Sequence, residues 1–251
     1  MDDPKSDIAD FANIIQVDPG LSAKVLKIVN SAYFGFPGKI ENLTQAINMI
    51  GISQLHNMVL GVSAISALDF PNDIVPLREL WRSSLYSGVL ARLFGNELKV
   101  RQSDRLYIIG LLHEIGHLLL YAKFPDQARD AIQVSRQNGI GIHQAEHQVL
   151  GCHYGEVGAR LMDNWQLSPF FQQLTQFQPT PLISTENQLE ISILHLAHAY
   201  ADKKFFNPDV ETENLIDESI WPLVDLTQEQ LTTCLESADV ISSDMEKVIL
   251  K

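Results

Sequence analysis

Gly110-Leu111-Leu112-His113-Glu114-Ile115-Gly116-His117 sets a histidine beside a carboxylate inside an apolar run. The run, Tyr107 to Tyr121, shows no strand-like alternation. It is too short and too polar at its centre to span a bilayer. It therefore reads as a buried core helix that carries His113. On such a helix His113 and His117, four residues apart, share a face. His and Glu are both metal-ligand types, so the chemistry available here depends on which further ligands the chain supplies.

Working outward, nearly every segment reads as helix. Asp18-Pro19 opens one, with Asp capping orphan amides and Pro fitting the first turn. Leu21, Val25, Ile28 and Val29 form its apolar face. Asn30-Ser31 and Gly35-Phe36-Pro37-Gly38 end it in a loop. Asn42 caps a short helix, Gly51 turns the chain, and Ser53 caps the next helix, which runs through Leu68. A connector spans Pro71 to Pro76. Helices then fall at about 77–96, from Ser103 through the His113 run, and at about 125–137, 142–150, 154–165 and 187–206. Gln178 to Ser184, with Pro179 and Pro181, is a loop. Thr227 and Gln230 make a capping box for the last helix. The fold class is all-α. Boundaries are expected at residues 1–70, 71–206 and 207–251, the last an acidic helical extension.

The chain has 251 residues, 45% of them apolar, and a formal net charge of −13. Nucleic acid is excluded as a main partner, because that binding rests on Lys and Arg neutralising phosphates. From Pro208 to Lys251 there are eleven Asp or Glu against two Lys. Such a surface suits a protein partner rather than a membrane or a duplex. Residues 42–68 have the outline of a helix-turn-helix, yet Ile52 to Leu68 hold no Lys or Arg. The pair reads as a packing hairpin rather than a base reader. Cys152 and Cys234 lie in no metal-like spacing and fit a reducing cytoplasm. Met1-Asp2-Asp3 does not begin a signal peptide. No Gly-rich phosphate loop or triad-like nucleophile motif stands out.

Two blocks of residues resemble the HDOD family, a signalling branch related to HD-type phosphohydrolases. The first runs from Asp18-Pro19-Gly20-Leu21 through Asn30-Ser31-Ala32-Tyr33-Phe34-Gly35 to Ala46-Ile47 and Gly51. The second is Gly110-Leu111-Leu112-His113-Glu114-Ile115-Gly116, then Glu146, Gly151, Glu156-Val157-Gly158-Ala159, Leu161 and Trp165. The likeness covers roughly residues 8–206, with Trp81 inside it. It implies a helical N-terminal subdomain packed on an HD-like helical bundle, working as an output or scaffold module in bacterial signalling.

The resemblance also implies a ligand pattern. Catalytic relatives would place a His at Ser83, an Asp at Glu114, a His near Tyr154, a His pair near Gln176-Phe177 and a late Asp near His198. With that set eroded, the expectation is a non-catalytic signalling module with a degenerate metal site, no cofactor and a protein partner. His113 and Glu114 then hydrogen-bond each other. The alternative is a metal-dependent phosphohydrolase or phosphodiesterase acting on nucleotides or cyclic dinucleotides. Its rearranged mononuclear site would take Fe, Mn or Zn on His113, Glu114, His117 and His198. His143 and His147 form another four-apart pair. Asn30-Ser31 reads as a hinge that satisfies loose backbone groups. Tyr33, Phe34 and Phe36 plug the subdomain joint, or contact a partner where exposed. Oligomeric state stays open.

Overall fold

The computed structural model describes residues 73–101, 103–165 and 167–249, together with residues 25, 26, 29, 30, 36, 40–52, 55 and 59. Among these, every regular element is helical. The chain divides into two compact units, Met1–Ala67 with Asp239–Lys251, and Leu68–Ala238. Residues 207–238 thus fall with the second unit. No helix among the described residues is long and apolar enough to cross a membrane.

In the first unit, helix α1 (Leu43–Ile50) starts at Asn42, whose side chain accepts the Gln45 N–H at 2.8 Å. Gly51 ends the helix at φ 87°. Both follow the sequence reading. Leu43, Ala46 and Ile47 are buried, as are Val25, Val29, Leu55 and Val59. The Asn30 side chain donates to Ile40 O and accepts from Ile40 N–H, both at 2.6 Å. One amide therefore closes a ten-residue loop. Asp18, Pro19, Ser31, Tyr33, Phe34 and the Ser53 cap lie outside the described residues; Phe36 is half-buried.

The second unit holds α2 (Leu77–Glu97), α3 (Asp104–Leu112), α4 (Ile115–Lys123) and α5 (Pro125–Asn138). These are followed by α6 (Ile142–Leu150), α7 (Tyr154–Asn164), α8 (Pro169–Phe177) and α9 (Gln188–Phe205). Short 3-10 turns occupy Pro181–Ile183, Thr212–Leu215 and Glu218–Ile220. The last helix, α10 (Gln228–Ile249), begins in this unit behind the expected cap: Gln230 N–H donates to Thr227 Oγ1 and Thr227 N–H to Gln230 Oε1.

Helix α2 packs on α3 and α9, α7 on α4 and α8, and α5 on α6. Small residues set the closest crossings. A Cβ on Gly110 would lie 2.4 Å from the Gly88 Cα, so α2 and α3 meet backbone to backbone. Helix α2 also buries Ser83, Ser84, Ser87 and Ala91 beside Leu80, Leu85, Val89, Leu90 and Phe94. Trp81 and Trp165 are half-buried, the latter ending α7.

Two readings need correction. The apolar run is not one helix: α3 stops at Leu112 and α4 restarts at Ile115, leaving His113 and Glu114 in a turn. Helix α8 was not foreseen, although Ser168-Pro169 carries the same start signal as Asp18-Pro19.

Candidate functional site

The break between α3 and α4 gives His113 and Glu114 separate tasks. His113 Nδ1 lies 2.8 Å from Gly110 O, in the preceding turn. A carbonyl only accepts, so Nδ1 carries the proton and Nε2 holds the lone pair. That lone pair faces His198 Nδ1 of α9 at 3.0 Å. Glu114 does not bond His113, contrary to expectation. Its Oε2 accepts from the Ser84 hydroxyl of α2 at 3.2 Å, and its Oε1 lies 4.0 Å from His198 Nδ1. One ligand atom from each of His113, Glu114 and His198 falls within 4.8 Å of the others.

Burial governs the charges. It pulls the His113 pKa down to about 4, opposed by the Gly110 carbonyl. Burial, then His113, holds His198 well below the usual imidazole range. Burial pushes the Glu114 carboxyl up to about 7, against the field of His117. Two neutral imidazoles and a carboxyl near half-ionisation thus share one buried corner.

His117 does not join them, which corrects the four-residue ligand set. With the helix interrupted, the four-residue spacing no longer puts it beside His113. Its Nδ1 sits 3.0 Å from Glu146 Oε1 on α6. Its ring stacks on Tyr154, centroids 4.0 Å apart and planes 21° apart. Burial lowers the His117 pKa, but Glu146 and then Glu114 and Asp202 outweigh it and leave it raised. Glu146 Oε2 in turn accepts the Tyr154 N–H at 2.8 Å.

Other histidines are bound to the scaffold. His195 donates from Nδ1 to Gln178 O at 2.8 Å and accepts the Asp217 N–H on Nε2 at 2.9 Å. His153 caps α7 by accepting the Gly155 N–H on Nδ1. His143 borders the cavity described below, whereas His147 is exposed. Ser83 is fully buried on α2.

Asp202 was missed. It stands one turn after His198 on α9, its carboxyl held by Asn207 Nδ2 at 2.9 and 3.0 Å. Asp202 thus shares a helix face with His198, four residues on. Glu146, noted only as a motif residue, is the partner of His117.

These groups border a cavity of about 780 Å³, lined by Glu114, His117, Tyr154, Gln178, His198 and Asp202 among others. Three donors, two imidazoles and a carboxylate, fit one divalent ion with open positions. They do not make a two-metal set. For His198 Nδ1 to be a ligand, His198 must move its proton to Nε2.

Solved structures share this architecture. An HDOD domain protein from Geobacter sulfurreducens superposes with a TM-score of 0.76 at 20% identity, over 100% of this chain and 89% of that one. A candidate phosphohydrolase from Shewanella amazonensis SB2B gives 0.71 at 22% identity, over 95% and 86%. The MmoQ response regulator from Methylococcus capsulatus str. Bath gives 0.52 at 18% identity, over 91% and 88%. At these identities the likeness speaks for the fold alone. An uncharacterized protein of Treponema pallidum (strain Nichols) is 25% identical over 189 residues, 74% of this chain but 34% of its own length. This chain spans about a third of that relative. The family model of the HDOD domain matches residues 1–181, well over half of a chain with the expected all-helical architecture, and the chain belongs to the HDOD domain family.

Proposed function

We propose that the chain is a non-catalytic signalling module that binds a protein partner, with a degenerate HD metal site turned into a polar core. The observation that carries this reading is the employment of the imidazoles. His117 is committed to Glu146, His195 to two backbone groups and His153 to a helix cap. Among the described residues, only His113, Glu114 and His198 remain convergent. The HD-type pattern that the sequence resembles draws on more ligands than that, from several helices. Direct contact between two neutral imidazoles satisfies both without an ion. The net charge of −13 supports a protein partner over a polyanion.

The convergence of three donors beside a cavity favours a second reading, a mononuclear metal-dependent phosphohydrolase. There His113, Glu114 and His198 would hold Fe, Mn or Zn. A bound ion would supply Lewis-acid polarisation of phosphate and a more acidic water.

Metal analysis of purified protein, with a bis(p-nitrophenyl) phosphate assay, separates the two. The leading reading expects substoichiometric metal and no turnover above background. Near-stoichiometric metal that is lost in His113→Ala, or turnover lost in the same variant, overturns it.

A further inference from the structure

Gln178 follows α8 and lines the cavity, yet the fold uses only part of it. Its backbone carbonyl accepts from His195 Nδ1, and its Oε1 accepts from Tyr154 Oη at 2.5 Å. Its Nε2 has no hydrogen-bond partner among the described residues, although the residue is only 1% exposed. A buried amide nitrogen left unpaired is costly, and such groups find a partner. With Oε1 taken by Tyr154, the unpaired NH2 belongs to a side chain on the cavity wall.

The walls say what that partner is. Ile132, Ile140, Leu215 and Ile216 give apolar surface, and about 780 Å³ is a metabolite-sized space. Glu114, Asp202 and Asp217 border it, while Arg136, exposed at the rim, is the one Lys or Arg among the described lining residues. A phosphate-bearing molecule would meet carboxylates with Arg136 alone to offset them, since His117 is already paired with Glu146.

We propose that this cavity binds a neutral organic molecule, which accepts the Gln178 NH2 on a carbonyl-type or ring-nitrogen atom and donates an N–H or O–H to Asp202. The inference goes beyond the signalling reading and stands apart from it. Metal and turnover decide that reading, and binding of neutral molecules decides this one.

The test uses the full chain with uracil, nicotinamide and adenosine as neutral probes, and adenosine monophosphate as the charged counterpart. Saturable binding is followed by calorimetry and by amide NMR shifts at positions 143, 178 and 199. The expected result is saturable binding of at least one neutral probe, with adenosine monophosphate weaker than adenosine. Gln178→Glu keeps an acceptor for Tyr154 but removes the NH2, and weakens binding about tenfold or more. Ala199→Phe fills the cavity from α9 and abolishes it. Should Gln178→Glu fail to fold, Ala199→Phe carries the test. No saturable binding by any neutral probe at millimolar concentration overturns the proposal. So does tighter binding of the monophosphate, or binding that survives both substitutions.

Discussion

His117 and Tyr154 are joined twice: their rings stack at 4.0 Å, and Glu146 bridges them through His117 Nδ1 and the Tyr154 amide. One carboxylate therefore fixes the start of α7 against α4. Removing it strands a buried imidazole and a buried N–H together. Glu146→Ala is expected to cost about 3–5 kcal/mol, the range for breaking a buried pair. Glu146→Gln keeps an acceptor for Tyr154 and should cost less. Urea melts give both costs. In the Gln variant His117 loses its first counter-charge, and an NMR titration should find its pKa below that of the wild type. The sign of the linkage follows: a raised folded pKa stabilises below the ordinary value of 6.5 and loses that contribution as pH rises through the raised value.

Glu114 tilts the pH profile the same way for the opposite reason, since burial disfavours its charged form. Its folded pKa is about 7 against an ordinary 4.5. Between those values the folded protein keeps a proton that the unfolded chain has lost, so stability falls as pH rises. Glu114→Gln removes that slope. It is expected to be more stable than wild type by about 3 kcal/mol above the folded pKa, and equal to it below the unfolded one. Denaturant melts across that pH range check this. A variant that instead loses stability on the alkaline side marks Glu114 as a metal ligand.

Gly116 admits no side chain. A Cβ there would fall 1.9 Å from Tyr154 O and 2.9 Å from Gly158 N, both backbone atoms. Gly116→Ala should cost about 3 kcal/mol or more, beyond the usual range for overpacking, because backbone cannot yield as a side chain does. Gly139 is the control: at φ 62° a Cβ there meets nothing within 4 Å. Gly139→Ala should cost only about 1 kcal/mol of backbone strain. Chemical denaturation midpoints distinguish the two.

Asn30 secures both backbone groups of Ile40. Asn30→Ala is expected to destabilise by about 1–3 kcal/mol. Asn30→Asp keeps the acceptor for the Ile40 N–H but sets an oxygen against the Ile40 carbonyl, and should recover little. Hydrogen exchange at the Ile40 amide, faster in both variants, is the readout.

Sequence pattern was a good guide where local rules decide. Ile142–Leu150 was read to the residue, and Pro125–Asn138 to within one, because Pro starts the helix and Gly139 ends it. The capping pairs at Asn42 and Thr227 were legible for the same reason. The turn at His113-Glu114 was not, since no Pro or Gly marks it; just beyond it, Gly116 lies against the Tyr154 carbonyl of α7, a contact invisible in local sequence. That missed turn made His117 look like a ligand. Asp202 was legible by a simple rule, standing four residues after His198 on one helix face. Gln178 carried no signal, because a loop glutamine reveals its missing partner only once its neighbours are in place.

His195 has a consequence for the timing of solvent exchange. It receives the Asp217 amide hydrogen on Nε2 while its own Nδ1 hydrogen sits on Gln178 O. The Asp217 amide lies just before a short surface turn, where amides ordinarily trade hydrogen with water quickly. Here its protection lasts as long as the imbedded ring keeps a lone pair. Acid that adds a second proton to His195 removes the acceptor, so one amide would record the charge of a side chain 22 residues away.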